Sequence, residues 1–338
     1  MNKYLISWQD SDKNTGGVKA KADVEKIMRH HGYELIKVSA SKIGKLWFTY
    51  CSFPMMISKL TGVILVQFPT GTPTIQKKIV ETIKKNRKLK LVFLIHDIET
   101  LRLNSDGSNT KDIGIEKELL LQANGIISLN SRMTDWFRSI GIKCPITNLN
   151  VWDYLNDVPL ETDKKYEGSI CFAGNLGKST FLEKLKLKRR LHLLGPNPKE
   201  KYPENIIYEG QYTPNEIASR LKQNFGLVWD GTSTTTCDGV YGSYLRYNTP
   251  HKISLYLSSG IPVIVWKEAA IAEFIANNNV GITISSLDEL DKVLDTVTVT
   301  DYKVLRENCI KVAKKLRRGN YLLSAEEELL KIIGEKSK

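Results

Sequence analysis

The sequence of 338 residues lacks the patterns of disulfide-rich and zinc-binding proteins. Its five cysteines are scattered, with no Cys-x-x-Cys pair and no Cys/His cluster, so we expect neither a disulfide framework nor a metal site. No run reaches the roughly 18 apolar residues that a membrane-spanning helix needs. The N-terminus turns polar too early for a secretory signal peptide. These absences favour a cytoplasmic protein.

Positive charge is in excess, at +12 with histidine neutral. The basic residues concentrate at the ends of predicted amphipathic helices, in the runs Lys84–Lys90, Lys184–Arg190 and Lys311–Arg318. Solvated helix ends are one interpretation, because the helix dipole favours cations there. An anionic acceptor, or a peripheral position on an anionic membrane surface, is the other. No helix-turn-helix or RNP-like motif is present, so we expect no nucleic acid partner.

Short apolar runs alternate with amphipathic stretches through the whole chain. In the first half they predict the strands Tyr4–Trp8, Tyr33–Val38, Gly62–Phe68, Leu89–Ile95 and Asn124–Leu129. In the second half they predict the strands Ser169–Ala173, Arg190–Leu194, Ile206–Tyr208, Phe225–Trp229, Pro262–Val265 and Gly281–Ile284. Near-continuous apolar strands separated by helices indicate parallel sheets covered on both faces.

The polar segment Val151–Gly168 interrupts this alternation and marks a domain boundary. We predict a first doubly wound domain at residues 1–155, a second at 156–318, and a C-terminal helix at 319–338 that crosses back to the first domain. Ligands of doubly wound sheets bind beyond the carboxyl ends of the strands. Two such domains in tandem are expected to face a common cleft, so candidate site residues are sought in the loops that follow strands.

Two glycine-containing loops follow strands and precede predicted helices. The loop Asn14–Gly17 ends in Gly16 and Gly17 but lacks Gly-x-Gly-x-x-Gly spacing, and the loop Gly174–Thr180 has Phe172 where a P-loop requires glycine. Glycines permit close backbone approach, and helix N-termini favour phosphate. We expect phosphate contacts at the first loop, and at the second through the Gly174-Asn175 turn and Lys178. Plain turns are the alternative.

The densest polar cluster is the stretch Tyr241–Lys252, which precedes an apolar helix. Within seven positions it holds Arg246, Asn248, His251 and Lys252. Arginine and lysine supply the donors that a pyrophosphate needs. Pro250 sets the start of a helix whose N–H groups add to the site.

Three further polar residues follow strands. Asp230 closes the run FGLVW and is expected to meet a ribose, a base edge or an acceptor hydroxyl, or to form only a turn. His96 and Asp97 follow the run LVFLI, where either side chain is placed to take a proton from an acceptor hydroxyl. The competing interpretation is that Asp97 caps a helix over Ile98–Arg102.

The segment Ser259–Leu290, SGIPVIVWKEAAIAEFIANNNVGITISSLDEL, resembles the donor-binding half of GT-B glycosyltransferases. In those enzymes a strand leads to a helix that carries a glutamate, and Glu273 matches that position. The first glutamate of the usual E-x7-E pair would fall at Trp266, so that pair is absent here. The resemblance implies an α/β fold of the GT-B class, with two Rossmann-like doubly wound domains facing a cleft.

HDIETLR, FAGNLGKS, FGLVWDG and YLRYNTPHK are similar to a bacterial subgroup that contains adhesin-glycosylating glucosyltransferases and galactofuranosyltransferase-like enzymes. The subgroup's UDP contacts, carried over by position, imply a role for Tyr212 near the donor. They also imply UDP contacts from Thr15, Gly16, Lys178, Ser179, Arg246, Tyr247, Asn248, Thr249, Pro250 and His251. The subgroup further implies a homodimer or homotetramer.

Together, the residues and the resemblance predict transfer of a hexose from a UDP-sugar to a glycan, glycolipid or glycopeptide acceptor. UDP-sugar is expected as co-substrate, with no tightly bound cofactor and no metal, because the DSD letters at Asp10–Asp12 lie in an N-terminal loop. A non-catalytic nucleotide-sugar-binding partner of another transferase is the alternative. The aromatic segment Trp47–Ile57 is expected to be a buried helix or, alternatively, a lipid-facing or acceptor-binding patch.

Overall fold

The computed structural model describes residues 1–8, 16–103, 109–161 and 163–335. The chain divides into two compact units. The first unit is Met1–Asn150 together with Tyr321–Lys338, and the second unit is Val151–Asn320. The sequence places the two boundaries at 155/156 and 318/319, and the structure divides the chain at 150/151 and 320/321.

Each unit contains a six-stranded sheet in which all pairings are parallel. The strands of the first unit are β1 Lys3–Trp8, β2 Glu34–Val38, β3 Gly62–Phe68, β4 Leu89–Ile95, β5 Gly125–Ser128 and β6 Ile146–Asn148. Those of the second unit are β7 Ile170–Ala173, β8 Leu191–Leu194, β9 Ile206–Gly210, β10 Phe225–Val228, β11 Val263–Trp266 and β12 Gly281–Ile284.

Helices follow the strands in both units. The first unit has α1 Gly16–His30, α2 Lys42–Trp47, α3 Phe53–Ile57, α4 Pro73–Lys85, α5 Glu99–Arg102, α6 Thr110–Leu121 and α7 Ser131–Ser139. The second has α8 Ile217–Arg220, α9 Gly239–Tyr244, α10 His251–Ser258, α11 Ala272–Asn278, α12 Leu290–Thr296 and α13 Val299–Leu316. The last helix, α14 Asn320–Glu335, ends the described chain. No helix of the described ranges is long and apolar enough to cross a membrane.

The strand orders of the two sheets differ. The first sheet runs β2-β1-β3-β4-β5-β6, so its order reverses between β1 and β3. The second runs β12-β11-β10-β7-β8-β9 and reverses between β7 and β10. The first is the flavodoxin-like order and the second the Rossmann order, and both bind ligands where the order reverses. The predicted α/β class of two doubly wound domains is thus confirmed.

The C-terminal helix α14 packs within the first unit, although almost the whole second unit precedes it in sequence. The buried Glu326 carboxylate accepts hydrogen bonds from Lys3 Nζ at 2.9 Å and from the Tyr33 hydroxyl at 2.7 Å. Burial, and next the Glu326 charge, raise the pKa of the Tyr33 phenol. The Thr147 hydroxyl donates to the carbonyl of Ala325 at 2.8 Å. These contacts join the helix to β1, to β6 and to Tyr33, the residue before β2.

Three regions differ from the sequence-based expectation. The strand β6 and the helix α6 are present but are not signalled by a distinct apolar run. The segment that starts at Gly174 forms two short 3₁₀ turns, Leu176–Lys178 and Thr180–Glu183, rather than a turn followed by an α-helix. Asparagine and serine side chains form hydrogen bonds to nearby backbone groups, and glycine has a flexible backbone, so these residues favour turns over a regular helix.

The segment Trp47–Ile57 is helical, and only part of it is buried. It continues α2 through a π-helical turn, Phe48–Ser52, into α3. One side is buried, with Phe53 and Ile57 at 0% and 1% exposure, whereas Trp47 on the other side is 64% exposed. The segment is therefore a helix that faces the core and also presents an apolar face to solvent.

Candidate functional site

The reversal point of the second sheet carries a lysine held by a carboxylate. Asp230 follows β10, and its Oδ1 accepts a hydrogen bond from Lys252 Nζ at 3.2 Å. Lys252 lies in the first turn of α10, and its ammonium stands 4.6 Å from the Phe172 ring centroid on β7. Both side chains of the ion pair are largely buried, at 16% and 21% exposure. Two residues predicted from separate loops thus meet at one point.

One turn further along α10, Tyr256 fixes the place where the sheet order reverses. Its hydroxyl accepts from the backbone N–H of Ala173 on β7 at 2.6 Å and donates to the carbonyl of Leu227 on β10 at 3.4 Å. Residues four apart share a helix face, so Lys252 and Tyr256 both point toward these strand ends. Gly226 makes room for the ring, because a Cβ there would lie 2.3 Å from Tyr256 Cγ.

Glycines let the neighbouring strand ends come close together. Gly195 follows β8 with φ at +151°, and a Cβ on it would lie 1.8 Å from the carbonyl oxygen of Gly174. A Cβ on Gly174 would in turn lie 3.7 Å from Lys252 Nζ. The backbone N–H of Gly195 donates to the carbonyl of Gly210 at 2.9 Å. On the side of Gly174, therefore, backbone rather than a side chain lies next to the lysine.

A second cation–carboxylate pair lies at the end of the adjacent strand β11. Arg246 Nη2 donates to Glu268 Oε2 at 2.7 Å, and its guanidinium lies 4.5 Å from the Trp266 ring centroid. Trp266 packs edge-on against Trp229, the residue before Asp230, with ring centroids 6.4 Å apart. The side chains of Arg246 and Glu268 are 41% and 47% exposed, more than those of Lys252 and Asp230. Arg246 is therefore positioned by a stacked ring and remains accessible.

The loop after β7 holds the remaining predicted phosphate residues. Asn175 Oδ1 accepts from the backbone N–H of Gly177 and from Asn197 Nδ2, each at 3.0 Å. Lys178 Nζ lies 4.2 Å from the Tyr241 ring centroid. Ser179 is only 2% exposed, and its hydroxyl donates to the carbonyl of Asn175 at 3.3 Å. Lys178 is thus the exposed cation of this loop, while Ser179 shapes the turn.

The stretch from Tyr247 to His251 has mixed surroundings. Pro250 is the N-cap residue of α10, as its position before an apolar helix predicts. The His251 ring packs on Tyr154 and Trp152, with centroids 5.0 and 6.5 Å apart. Thr249 is buried at 3% exposure. Tyr247 and Asn248 are half-buried.

Two predicted residues lie after other strands of the second sheet. Tyr212 follows the edge strand β9, donates its hydroxyl to the carbonyl of Glu209 at 2.8 Å, and stacks under Arg220. Glu273 lies in the first turn of α11, beyond β11, and is exposed. Neither makes a described contact with the Lys252–Asp230 pair.

In the first unit, His96 and Asp97 follow β4 as predicted. His96 Nε2 lies 2.9 Å from Oε1 of the buried Gln67, a contact in which Nε2 donates. Asp97 Oδ2 accepts from Arg102 Nη1 at 2.9 Å, and about a third of each of these two side chains is exposed. Both candidate bases are therefore oriented by a neighbouring side chain.

The capping role suggested for Asp97 belongs to another carboxylate. The helix α5 begins at Glu99, so its N-cap residue is Ile98 and not Asp97. Glu116 from α6 accepts the backbone N–H groups of Glu99 and Thr100, each at 2.8 Å. Burial raises the pKa of Glu116, and these hydrogen bonds offset part of that rise. Asp97 is consequently not required as a helix cap.

A cavity of about 220 Å³ adjoins this region of the first unit. Its lining includes Phe68 and Pro69 at the end of β3, and Glu99, Asp112 and Glu116. The cavity therefore opens at the carboxyl end of the first sheet, where ligands of doubly wound sheets bind.

Thr15 and the DSD letters of Asp10–Asp12 lie outside the described residues. Gly16 and Gly17 begin α1, the first helix after β1, and β1 borders the reversal point of the first sheet. Within the described ranges, no group of three or more His, Cys, Asp or Glu side chains could hold a metal ion. Cys237 lies near Asp230, and burial raises the pKa of its thiol.

Several site residues escape the sequence reasoning. They are Tyr256, Gly195, Glu268 and Arg102. Some of them contact residues that are far away in the chain, and the others occur in helix and turn patterns that look ordinary in the sequence. Two signals were available in the sequence: the i, i+4 spacing of Lys252 and Tyr256, and a glycine inside the apolar run FGLVW.

Family models match both halves of the chain. Residues 2–151 match the glucosyltransferase 3-like N-terminal domain, and residues 170–329 match the glucosyltransferase 3-like C-terminal domain. The β-1,6-galactofuranosyltransferase WbbI of Escherichia coli is 32% identical over 275 residues, which is 79% of each chain. Glucosyltransferase 3 of Streptococcus gordonii is 27% identical over 247 residues, or 71% of this chain and 72% of that one.

Solved structures resemble the fold over nearly its full length. Sucrose-phosphate synthase from Thermosynechococcus elongatus aligns with a TM-score of 0.61 at 10% identity, covering 97% of both chains. α,α-Trehalose 6-phosphate synthase from Burkholderia multivorans aligns with a TM-score of 0.57 at 10% identity, covering 100% of this chain and 98% of that one. These similarities show the fold and confirm the predicted GT-B class.

Proposed function

Since the chain belongs to the glucosyltransferase 3-like family and is a glycosyltransferase, we propose that it transfers a hexose from a UDP-sugar to a glycan or glycopeptide acceptor. The names of the relatives contain glucose and galactofuranose, and one of these two sugars is the proposed hexose. Polysaccharide synthesis or adhesin glycosylation is the proposed setting.

The observation that carries the proposal is the Lys252–Asp230 pair at the reversal point of the second sheet. Gly174 beside this pair has no side chain, so a ligand can approach the backbone there. A lysine ammonium and an arginine guanidinium are suited to a diphosphate. Lys252, Arg246 and Lys178 are therefore the proposed diphosphate ligands.

In the proposed reaction the acceptor hydroxyl oxygen forms a bond to the anomeric carbon of the donor. The bond from that carbon to the diphosphate oxygen breaks, and UDP departs with the electron pair. Cations that face the departing diphosphate lower the barrier because they stabilise charge that develops in the transition state. In an inverting reaction Asp97 or His96 takes the acceptor proton.

We propose that these side-chain cations neutralise the diphosphate without a metal ion. Activity in the presence of a divalent-metal chelator should then equal activity in its absence. Loss of activity with chelator, restored by added Mg²⁺ or Mn²⁺, would contradict this part of the proposal and leave the glycosyl transfer itself standing.

The test of the whole proposal measures UDP release from a panel of UDP-sugars, first alone and then with candidate glycan and glycopeptide acceptors. GDP-sugars serve as the control for nucleobase choice. We expect release from UDP-glucose or UDP-galactofuranose to rise when an acceptor is added. Tight UDP binding without turnover of any donor would instead support a non-catalytic partner of another transferase.

A further inference from the structure

The first unit carries an apolar face that its own core does not use. Ile43, Leu46, Trp47 and Tyr50 follow the i, i+3, i+4, i+7 spacing that places side chains on one side of a helix. Their exposed fractions are 81%, 51%, 64% and 49%. Phe48, by contrast, is 7% exposed and packs against Phe53 with ring centroids 4.9 Å apart. The helix thus has one apolar side for the core and a second one in solvent.

The part of the chain that carries this face is strongly basic. Residues 35–96 contain eleven lysines and arginines and a single acidic residue, Glu81. Lys42 lies beside Ile43 and is exposed, and Lys45 lies 5.1 Å from the Trp8 ring centroid. An exposed apolar helix face that contains Trp and Tyr and lies in a lysine-rich segment is the pattern of a surface that lies on anionic lipid.

A basic pocket of about 480 Å³ adjoins the apolar face. Four cations from α4 and the turn after it, Lys78, Lys85, Arg87 and Lys88, contribute to its lining, together with Pro54 and Ile57 of α3. The ammonium of Lys78 lies 5.8 Å from the Tyr50 ring centroid, which joins the pocket to the apolar face.

The pocket is held in shape by the end of α4. Asn86 Nδ2 donates to the carbonyl oxygens of Ile57 at 2.6 Å and Leu60 at 2.8 Å. These two bonds fix the turn that carries Arg87 and Lys88 against the end of α3. The cations are thus presented from a built surface rather than from a loose loop.

We propose that this surface, the apolar face of Ile43, Leu46, Trp47 and Tyr50 together with the adjoining basic pocket, docks on a membrane that contains anionic phospholipid. The apolar side chains enter the headgroup region, and the pocket receives a lipid phosphate. In a symmetric contact between two copies of this face, the lysines and arginine of one copy would approach those of the other copy. Repulsion between these like charges disfavours such a dimer. The proposal concerns lipid binding alone and does not rest on the proposed glycosyl transfer.

The test is flotation of the full chain, without donor or acceptor, with vesicles of phosphatidylcholine alone or mixed with phosphatidylglycerol. We expect binding to the mixed vesicles that weakens as salt is added, since attraction to anionic lipid is screened. The double variant Leu46→Ser with Trp47→Ser should lower the partition coefficient by about tenfold or more. The charge reversal Lys85→Glu with Arg87→Glu should lower binding to the mixed vesicles to a similar degree.

Matched variants in the second unit serve as controls. Val299→Ser with Val304→Ser removes exposed apolar side chains from α13, and Lys314→Glu with Lys315→Glu reverses exposed charges there. Both should bind vesicles as the unaltered chain does. Failure of the unaltered chain to bind mixed vesicles overturns the proposal, as does equal binding by the Leu46/Trp47 variant. A smaller oligomer in that variant with unchanged vesicle binding also overturns it, and assigns the face to a second copy of the chain.

Discussion

The strand ends of the two units hold the same kinds of charge in opposite arrangements. In the second unit the cations Lys252 and Arg246 are the candidate ligands, and the carboxylates of Asp230 and Glu268 hold them. In the first unit the carboxylate of Asp97 is the candidate reagent, and the guanidinium of Arg102 holds it. An ion pair at a strand end therefore does not reveal which partner acts on the substrate.

The backbone separates the two regions more clearly. The second unit has Gly174, Gly195 and Gly210 at three adjacent strand ends, and at Gly195 the carbonyl oxygen of Gly174 lies too close for a side chain. The first unit instead ends β3 and β4 with larger side chains, among them Phe68 and His96. A diphosphate needs backbone approach and cations, whereas an acceptor hydroxyl needs only a base within reach. The difference favours the donor in the second unit and the acceptor in the first.

The largest effect is expected from Gly195→Ala. A Cβ there would lie 1.8 Å from the Gly174 carbonyl oxygen, so the strand ends must shift, at a cost of about 4 kcal/mol or more of unfolding free energy. Gly141→Ala in the first unit is the control, because Gly141 has φ of +92° and open space around it. It should cost only about 1–2 kcal/mol, from the backbone conformation alone. Denaturant unfolding measures both, and equal losses would contradict the close approach.

Asp97→Asn comes next in size. If Asp97 takes the acceptor proton, the substitution should lower kcat by about 10²–10⁴-fold and leave the Kd for UDP unchanged. Steady-state kinetics and calorimetric titration with UDP separate the two quantities. Asp135→Asn, at an exposed position of α7, is the control. Unchanged kcat in the Asp97 variant would transfer the role to His96 or remove it from this strand end.

Lys252→Ala should lower kcat/KM by about 10²–10³-fold, the usual loss for one electrostatic stabiliser of a transition state. Unlike the Asp97 variant, it should also raise the Kd for UDP. Lys188→Ala removes an exposed lysine near the amino end of β8 and should change neither quantity. If Lys252→Ala lowers kcat but binds UDP normally, the contrast between donor and acceptor sides no longer holds.

Arg246→Ala should weaken UDP binding by about tenfold, because its charge-assisted contact is made at a half-exposed position. Its control is Arg190→Ala, an exposed arginine before β8 at the amino end of the sheet. Titration with UDP at two salt concentrations provides the measurement, and the difference between Arg246→Ala and the unaltered chain should shrink at high salt. Equal Kd values at low salt would exclude Arg246 from the diphosphate site.

The smallest effect is expected from Glu268→Gln. The Arg246–Glu268 pair is more than a third exposed on both sides, so its loss should cost no more than about 0–1 kcal/mol of stability. Removal of the competing carboxylate should strengthen UDP binding by about two- to threefold. Weaker binding would mean that Glu268 positions Arg246 rather than competes for it.

Much of the fold follows from local pattern. Apolar runs such as Gly62–Phe68 and Leu89–Ile95 coincide with buried strands because a strand covered on both faces has no polar side. The short strand β6 has no such run, since Ile146–Asn148 alternates between buried and half-buried positions. After β7 the sequence predicts a helix, whereas the structure has 3₁₀ turns. The asparagine and glycines of that loop signal a turn but do not specify which helix type follows it.

The site divides in the same way. Lys252, Asp230, Arg246 and His96 could be proposed from their places after strands and in a polar cluster. Their partners could not, because Tyr256 reaches Ala173 across 83 positions and Arg246 reaches Glu268 across 22. Such contacts depend on which strands are neighbours, and no local pattern encodes that.

The sequence by itself determined the alternation of strands and helices, the two-domain organisation and the loops in which site residues occur. Apolar periodicity and turn residues act over a few positions, so they can be read along the chain. Only the tertiary structure decided that β7 and β10 are neighbours in one sheet and β1 and β3 in the other. The first of these choices brings Phe172 and Ala173 of β7 against Lys252 and Tyr256 of α10. Strand order is set by the packing of whole helices on whole sheets, and no local pattern along the chain contains that information.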